Sequence, residues 1–144
     1  MARRAKIGYR SFVSTAQRIF IAYGIVILLV GFGLGTALGA VRMKSPAARA
    51  LATAHVETLM QAAMHLALAF AVGAVNFGTS VATVGAWLLV AASATQALGA
   101  TINWITNVGD QFAERSVGFY LNSSATLIAL PGVAIIGYGI LHRL

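Results

Sequence analysis

The chain has 144 residues, 59% of them hydrophobic and only 9% charged, with a formal net charge of +7. With a mean hydropathy of +0.84, this balance excludes an ordinary soluble domain and marks an integral membrane protein. There is no cysteine, which excludes disulfides, thiolate metal sites, cysteine nucleophiles and cysteine-ligated clusters.

Most of the positive charge sits near segment boundaries, in Arg3, Arg4, Lys6, Arg10, Arg18, Arg42, Lys44 and Arg49. Basic residues there serve lipid headgroups and topology, which argues against a nucleic-acid partner. Four long apolar segments fill nearly the whole length and leave no separate soluble domain. The predicted fold class is all-α. It is a single integral-membrane four-helix bundle with a basic arm over 1–16 and helices over about 17–41, 46–75, 80–107 and 118–142.

The apolar run from Ile19 to Val41 is longer than a signal-peptide core and lacks a clean small-x-small cleavage site, so it is expected to remain as the first span. Gly31, Gly35 and Gly39 recur every four residues in it. Such a face permits close helix contact, although membrane helices are glycine-rich in general. Ser45-Pro46 is a helix start, a capping hydroxyl followed by proline at the first helical position.

The second span carries the unusual chemistry, Ala54-His55-Val56-Glu57-Thr58-Leu59-Met60-Gln61 and then His65. Burying ionisable groups in a membrane is costly, so they face the bundle interior or a cavity and are often functional. Of the three acidic residues, only Glu57 lies in an apolar segment. Measured from Glu57 at about 100° per residue, Gln61 falls at about 40°, His65 at 80°, Thr58 at 100° and His55 at 160°. All five share one face, which is predicted to turn towards protein. His55 and His65 lie about 15 Å apart along the axis and cannot ligate one metal together.

Asn76-Phe77-Gly78 reads as a tight turn. On the third span Gln96, Asn103 and Asn107 align, with Trp104 beside them and Gly85 and Gly99 as thin spots. The connection over residues 108–117 contains Asp110, Glu114 and Arg115 and is expected at a solvated surface. Pro131 falls in the middle of the fourth span, frees the Leu127 carbonyl and predicts a kink. Tyr120, Asn122, Ser123 and Ser124 make the start of this span polar, and Tyr138 and His142 read as interfacial anchors. With the N-terminus inside, six Lys/Arg fall on the inner side (Arg3, Arg4, Lys6, Arg10, Arg18, Arg143) and four on the outer (Arg42, Lys44, Arg49, Arg115). This leans towards cytoplasmic termini in a bacterial-type plasma membrane.

The motif Ala54-His55-x-Glu57-x-x-Met60-Gln61, with Asn103-Trp104 late on the third span, resembles the hydroxylaminobenzene mutases, small four-helix membrane isomerases. Styrene oxide isomerases resemble it more distantly. The resemblance implies ferric haem b with His55 as its axial ligand, set between subunits of a homotrimer, and a small aromatic substrate. It implies an isomerase that turns aryl hydroxylamines into aminophenols. Gln61 stands where the isomerase branch has an asparagine, keeping the amide on a longer arm, and Asn107 falls near the position of a tyrosine. The Glu57 and Asn103-Trp104 matches favour the mutase branch over an epoxide isomerase.

On this reading Gln61 and Asn103 hydrogen-bond substrate heteroatoms. Asn107 and Glu57 complete the catalytic set, and Trp104 and Thr58 line the substrate pocket, with Phe70 or Phe119 as a further wall. Each has a structural alternative. His55, Gln61, Asn103 and Asn107 can be interhelical hydrogen bonders, Glu57 a partner of Arg49 or of a neighbouring subunit, and Trp104 a packing residue. Two other function classes remain, a haem electron carrier and a small proton-coupled transporter using Glu57 and His65.

Overall fold

A computed structural model describes residues 13–42, 49–108 and 113–144. The basic arm up to residue 12, the Ser45-Pro46 start and Asp110 lie outside the described residues. Those described form four helices, α1 (Thr15–Arg42), α2 (Arg49–Ala74), α3 (Ser80–Ile105) and α4 (Val117–Leu141). Each is long and apolar enough to cross a membrane, so the protein is an all-α four-helix bundle of multi-pass membrane type. At about 1.5 Å per residue the helices measure roughly 38–42 Å, more than the ~30 Å hydrocarbon core.

Local chemistry sets the helix ends. Thr79 caps α3 by accepting from the Ala82 N–H at 3.3 Å, and Ser116 caps α4 by accepting from the Phe119 N–H at 3.0 Å. α3 stops two residues before the predicted Asn107. That asparagine adopts φ 55°, and Asn76 after α2 adopts φ 51°. Asparagine tolerates the left-handed region better than most residues, so it ends a helix here instead of extending it. α4 continues through Pro131, an exposed residue.

α1 packs closely on α2, and α3 on α4, giving two hairpins. α3 touches all three other helices. Among the described residues α2 barely meets α4, and α1 and α4 make no contact. α4 is thus held almost entirely by α3. Their backbones approach closely where Gly99 meets Gly118 and Asn122, and a Cβ on Gly118 would run into the Asn103 side chain. Lipid tails are as apolar as leucine, so association in a bilayer depends on such close contact and on interhelical hydrogen bonds.

Two apolar cores occupy opposite ends of the bundle. At one end Phe20, Val72, Phe77, Ala86, Leu89 and Ile136 pack together. At the other Leu34, Leu38, Leu51, Ala54 and Ala100 do so, with Trp104 against them. Large apolar side chains such as Phe70 and Leu127 face outwards, 79% and 71% exposed.

Candidate functional site

α2 presents its polar face to the other helices, as its spacing predicts. The centre of that face, Thr58, Gln61 and His65, is buried. Its two edges, Glu57 and His55, are half-buried. The five polar groups serve different neighbours.

His55 turns towards α1. Its Nδ1 lies 2.8 Å from the Gly31 carbonyl oxygen. A carbonyl only accepts, so Nδ1 carries the proton and donates, leaving the neutral ring's lone pair on Nε2. The ring lies on Gly35, where a Cβ would fall 2.7 Å from its Cε1. Two of the three spaced glycines therefore have a use, Gly31 under Leu59 and Gly35 under His55, while a Cβ on Gly39 would meet nothing within 4 Å. A metal-ligating histidine commonly shows this arrangement, with one ring nitrogen anchored on a carbonyl and the other left basic.

Glu57 has its Oε2 buried without a hydrogen-bond partner, so the alternative pairing with Arg49 does not form. The Thr58 hydroxyl donates to the Ala54 carbonyl and is also 3.1 Å from the His55 carbonyl. Both of these partners belong to its own helix.

Gln61 faces α3, where its Oε1 accepts from the Ser93 hydroxyl at 2.7 Å. Asn103 is fully buried, but against α4. Its Oδ1 accepts from the Ser116 hydroxyl at 2.7 Å, the same hydroxyl that caps α4. Asn107 is exposed beyond the end of α3, and Trp104 is half-buried against the apolar core near Leu51. Phe70 faces outwards, and Phe119 packs its ring on Tyr120.

A single chain does not gather His55, Gln61 and Asn103 around one point. They address α1, α3 and α4 in turn. The histidines are also separate, with His142 stacked on Tyr138 at the far end of α4. Among the described residues no group of three or more His, Asp or Glu converges as a metal cage.

The structure does assemble a polar cluster that the sequence reading missed. His65, fully buried, lies with Gln61, Ser93 and Tyr23 between α1, α2 and α3. Its Nδ1–H donates to the Gln61 carbonyl at 2.7 Å. Tyr23 meets its imidazole edge-on, with ring centroids 4.8 Å apart, and the tyrosine hydroxyl lies beside Ser93. The available signal was Tyr23 itself, a phenol well inside a span, where it needs a polar neighbour.

The fold and these side chains define a multi-pass membrane bundle whose second helix carries a largely buried polar face. Comparison with protein-family models, with curated proteins and with solved structures gave no match.

Proposed function

We propose that the chain is a membrane-embedded isomerase that rearranges aryl hydroxylamines to aminophenols, and that His55 would hold a ferric haem b. The observation that supports this reading is the seating of His55. Its Nδ1–H is tied to the Gly31 carbonyl, its ring rests on Gly35, and its Nε2 carries the lone pair a metal requires. His55 is not fully covered by its own chain, which is compatible with a group shared between copies in a homotrimer.

When bound, the haem supplies a Lewis-acidic iron that polarises the N–O bond. The overall change breaks that N–O bond and forms a ring C–O bond. The ring carbon loses a proton and the nitrogen gains one, so no oxidant or reductant is consumed. The protein's part is to hold the aromatic ring in a dry apolar setting and exclude competing nucleophiles. Glu57 is the next polar group along α2, and its buried carboxylate oxygen without a hydrogen-bond partner is assigned a proton-carrying role on this reading. Asn103 and Asn107 shape α3 and its junction with α4, and on this reading they act through the fold. The Lys/Arg distribution, six against four, leans towards both termini being cytoplasmic in a bacterial-type plasma membrane.

An epoxide isomerase would use the same ligand, and side-by-side turnover of an aryl hydroxylamine and an aryl epoxide separates the two. The experiment that tests the reading is an absorption spectrum of the purified protein beside His55→Ala, after expression with ample haem. A Soret band present in the wild type and lost in the variant is the expected result. A wild type without the band, or a variant that keeps both band and activity, rejects it.

A further inference from the structure

Where α3 starts and α4 ends, the two helices leave a groove of about 500 Å³, lined by Phe77, Val81, Ala134, Ile135, Tyr138 and Arg143 among others. The turn after α2 supplies one wall. Asn76 adopts φ 51° there, and Phe77 packs its ring on Gly139, where a side chain would collide with it. Phe77 is buried, whereas Val81 and Tyr138 are 58% and 71% exposed. The groove is thus apolar and open on its outer side, the side that faces lipid.

A cation is fixed at its mouth. Arg143 folds back on the helix it follows. One guanidinium nitrogen donates to the Gly139 carbonyl at 3.1 Å, and the guanidinium carbon lies 4.5 Å from the centre of the Phe77 ring. A guanidinium has five N–H donors, so this seat leaves several to donate elsewhere. This end of the bundle, where α1 and α3 start and α2 and α4 finish, carries Arg18, His142 and Arg143 and no acidic side chain among the described residues. Tyr138 and His142 stack there with ring centroids 5.5 Å apart, as side chains at a membrane interface do. From Arg143 down to Ala134 is roughly 14 Å at 1.5 Å per residue. One leaflet of the hydrocarbon core is about 15 Å deep.

We infer that this groove binds one anionic phospholipid, its phosphate on Arg143 and an acyl chain along Val81, Ala134 and Ile135. The division of the site matches that molecule, a held cation at the interface above a leaflet-deep apolar slot. Guanidinium groups pair with phosphate oxygens through parallel N–H donors, and basic pockets between membrane helices hold anionic headgroups. The Lys/Arg distribution leans this end towards the cytoplasm, where the leaflet is anionic. A zwitterionic lipid brings a second cation to a mouth that is already basic. A second copy brings no acidic side chain from this end to meet Arg143. The groove contains neither His55 nor any part of the proposed haem setting, so the two readings stand or fall separately.

The test is native mass spectrometry of the full-length protein, delipidated in detergent and titrated with phosphatidylglycerol or phosphatidylcholine of identical acyl chains. The wild type is expected to bind phosphatidylglycerol about tenfold more tightly, the size of a charged hydrogen bond. Arg143→Gln should abolish that preference. Arg18→Gln removes an equal charge from the same end and should keep it. Ala134→Trp keeps the charge, fills the groove from an exposed position and should weaken binding of both lipids. Glycerophosphoglycerol, the headgroup without its chains, should not compete. Equal binding of the two lipids by the wild type overturns the inference. So do equal losses in Arg143→Gln and Arg18→Gln, which mean diffuse surface charge, and binding unchanged in Ala134→Trp. Competition by the free headgroup gives the site to phosphate alone and overturns the groove. An oligomer that carries no lipid and dissociates in Ala134→Trp gives the groove to a second copy. If either variant loses its helical circular dichroism, the other decides, since they alter opposite ends of the groove.

Discussion

At the scale of single residues, the informative contact is an imidazole resting on a glycine. A Cβ on Gly35 would fall 2.7 Å from His55 Cε1 and 3.1 Å from its Nδ1, closer than side-chain carbons approach. Gly35→Ala therefore pushes the ring off the Gly31 carbonyl without disturbing α1, because alanine favours helix. Losing such an outer partner lowers the affinity of a histidine ligand about 10–100-fold. A haem titration of purified Gly35→Ala is expected to show a loss of that size. Gly33→Ala is the control, since a Cβ there meets nothing within 4 Å and the titration should match the wild type. Equal affinities for all three proteins would mean that the His55 seat does not orient a ligand.

At the scale of elements, the joint between α3 and α4 concentrates the most interactions in the fewest residues. The Ser116 hydroxyl both caps α4 through the Phe119 N–H and donates to the buried Asn103 amide. Ser116→Ala removes the cap, worth about 0.5–2 kcal/mol, and leaves Asn103 Oδ1 buried without its donor, a further ~1–3 kcal/mol. Reversible unfolding in mixed micelles should show the sum. A double-mutant cycle with Asn103→Ala should show a coupling of about 0.5–3 kcal/mol, and strict additivity would mean that the two side chains do not act together. Gly118→Ala forces a methyl group against Asn103 and the Gly99 carbonyl. Overpacking of this kind costs about 1–3 kcal/mol. The loss falls on α4 first, because α3 is nearly its sole support.

At the scale of the whole molecule, four helices that each cross the bilayer in series predict both chain ends on one side of the membrane. Reporter domains fused to the two termini should therefore give the same accessibility, and opposite accessibility would mean that one helix does not cross. The proposed homotrimer predicts a second outcome. The chain has no cysteine, so a single introduced one reports cleanly. Val56 adjoins His55 and is 52% exposed. Val56→Cys is expected to crosslink between copies, whereas Leu127→Cys, on the outlying α4, is not. Crosslinking at neither position, with a monomeric mass in detergent, would remove the shared-haem arrangement.

The sequence by itself determined the architecture. Hydropathy set four spans, because a bilayer admits only chains that satisfy their own backbone, and here that means helices. The 3.6-residue period placed Thr58, Gln61 and His65 on the face of α2 that is buried, with Glu57 and His55 at its margins. The spacing of Gly31 and Gly35 announced a close approach, though not that an imidazole would occupy it. Partner choice was decided only by the tertiary structure. Asn103 and Gln61 look alike in sequence, yet one secures the start of α4 and the other meets Ser93. Periodicity fixes the direction of a side chain on its own helix and says nothing of which helix stands opposite. Tyr23 and His65 come together from separate helices for the same reason. A residue's angle on a helix is local, whereas the groups that satisfy it are set by how the two hairpins pack across α3.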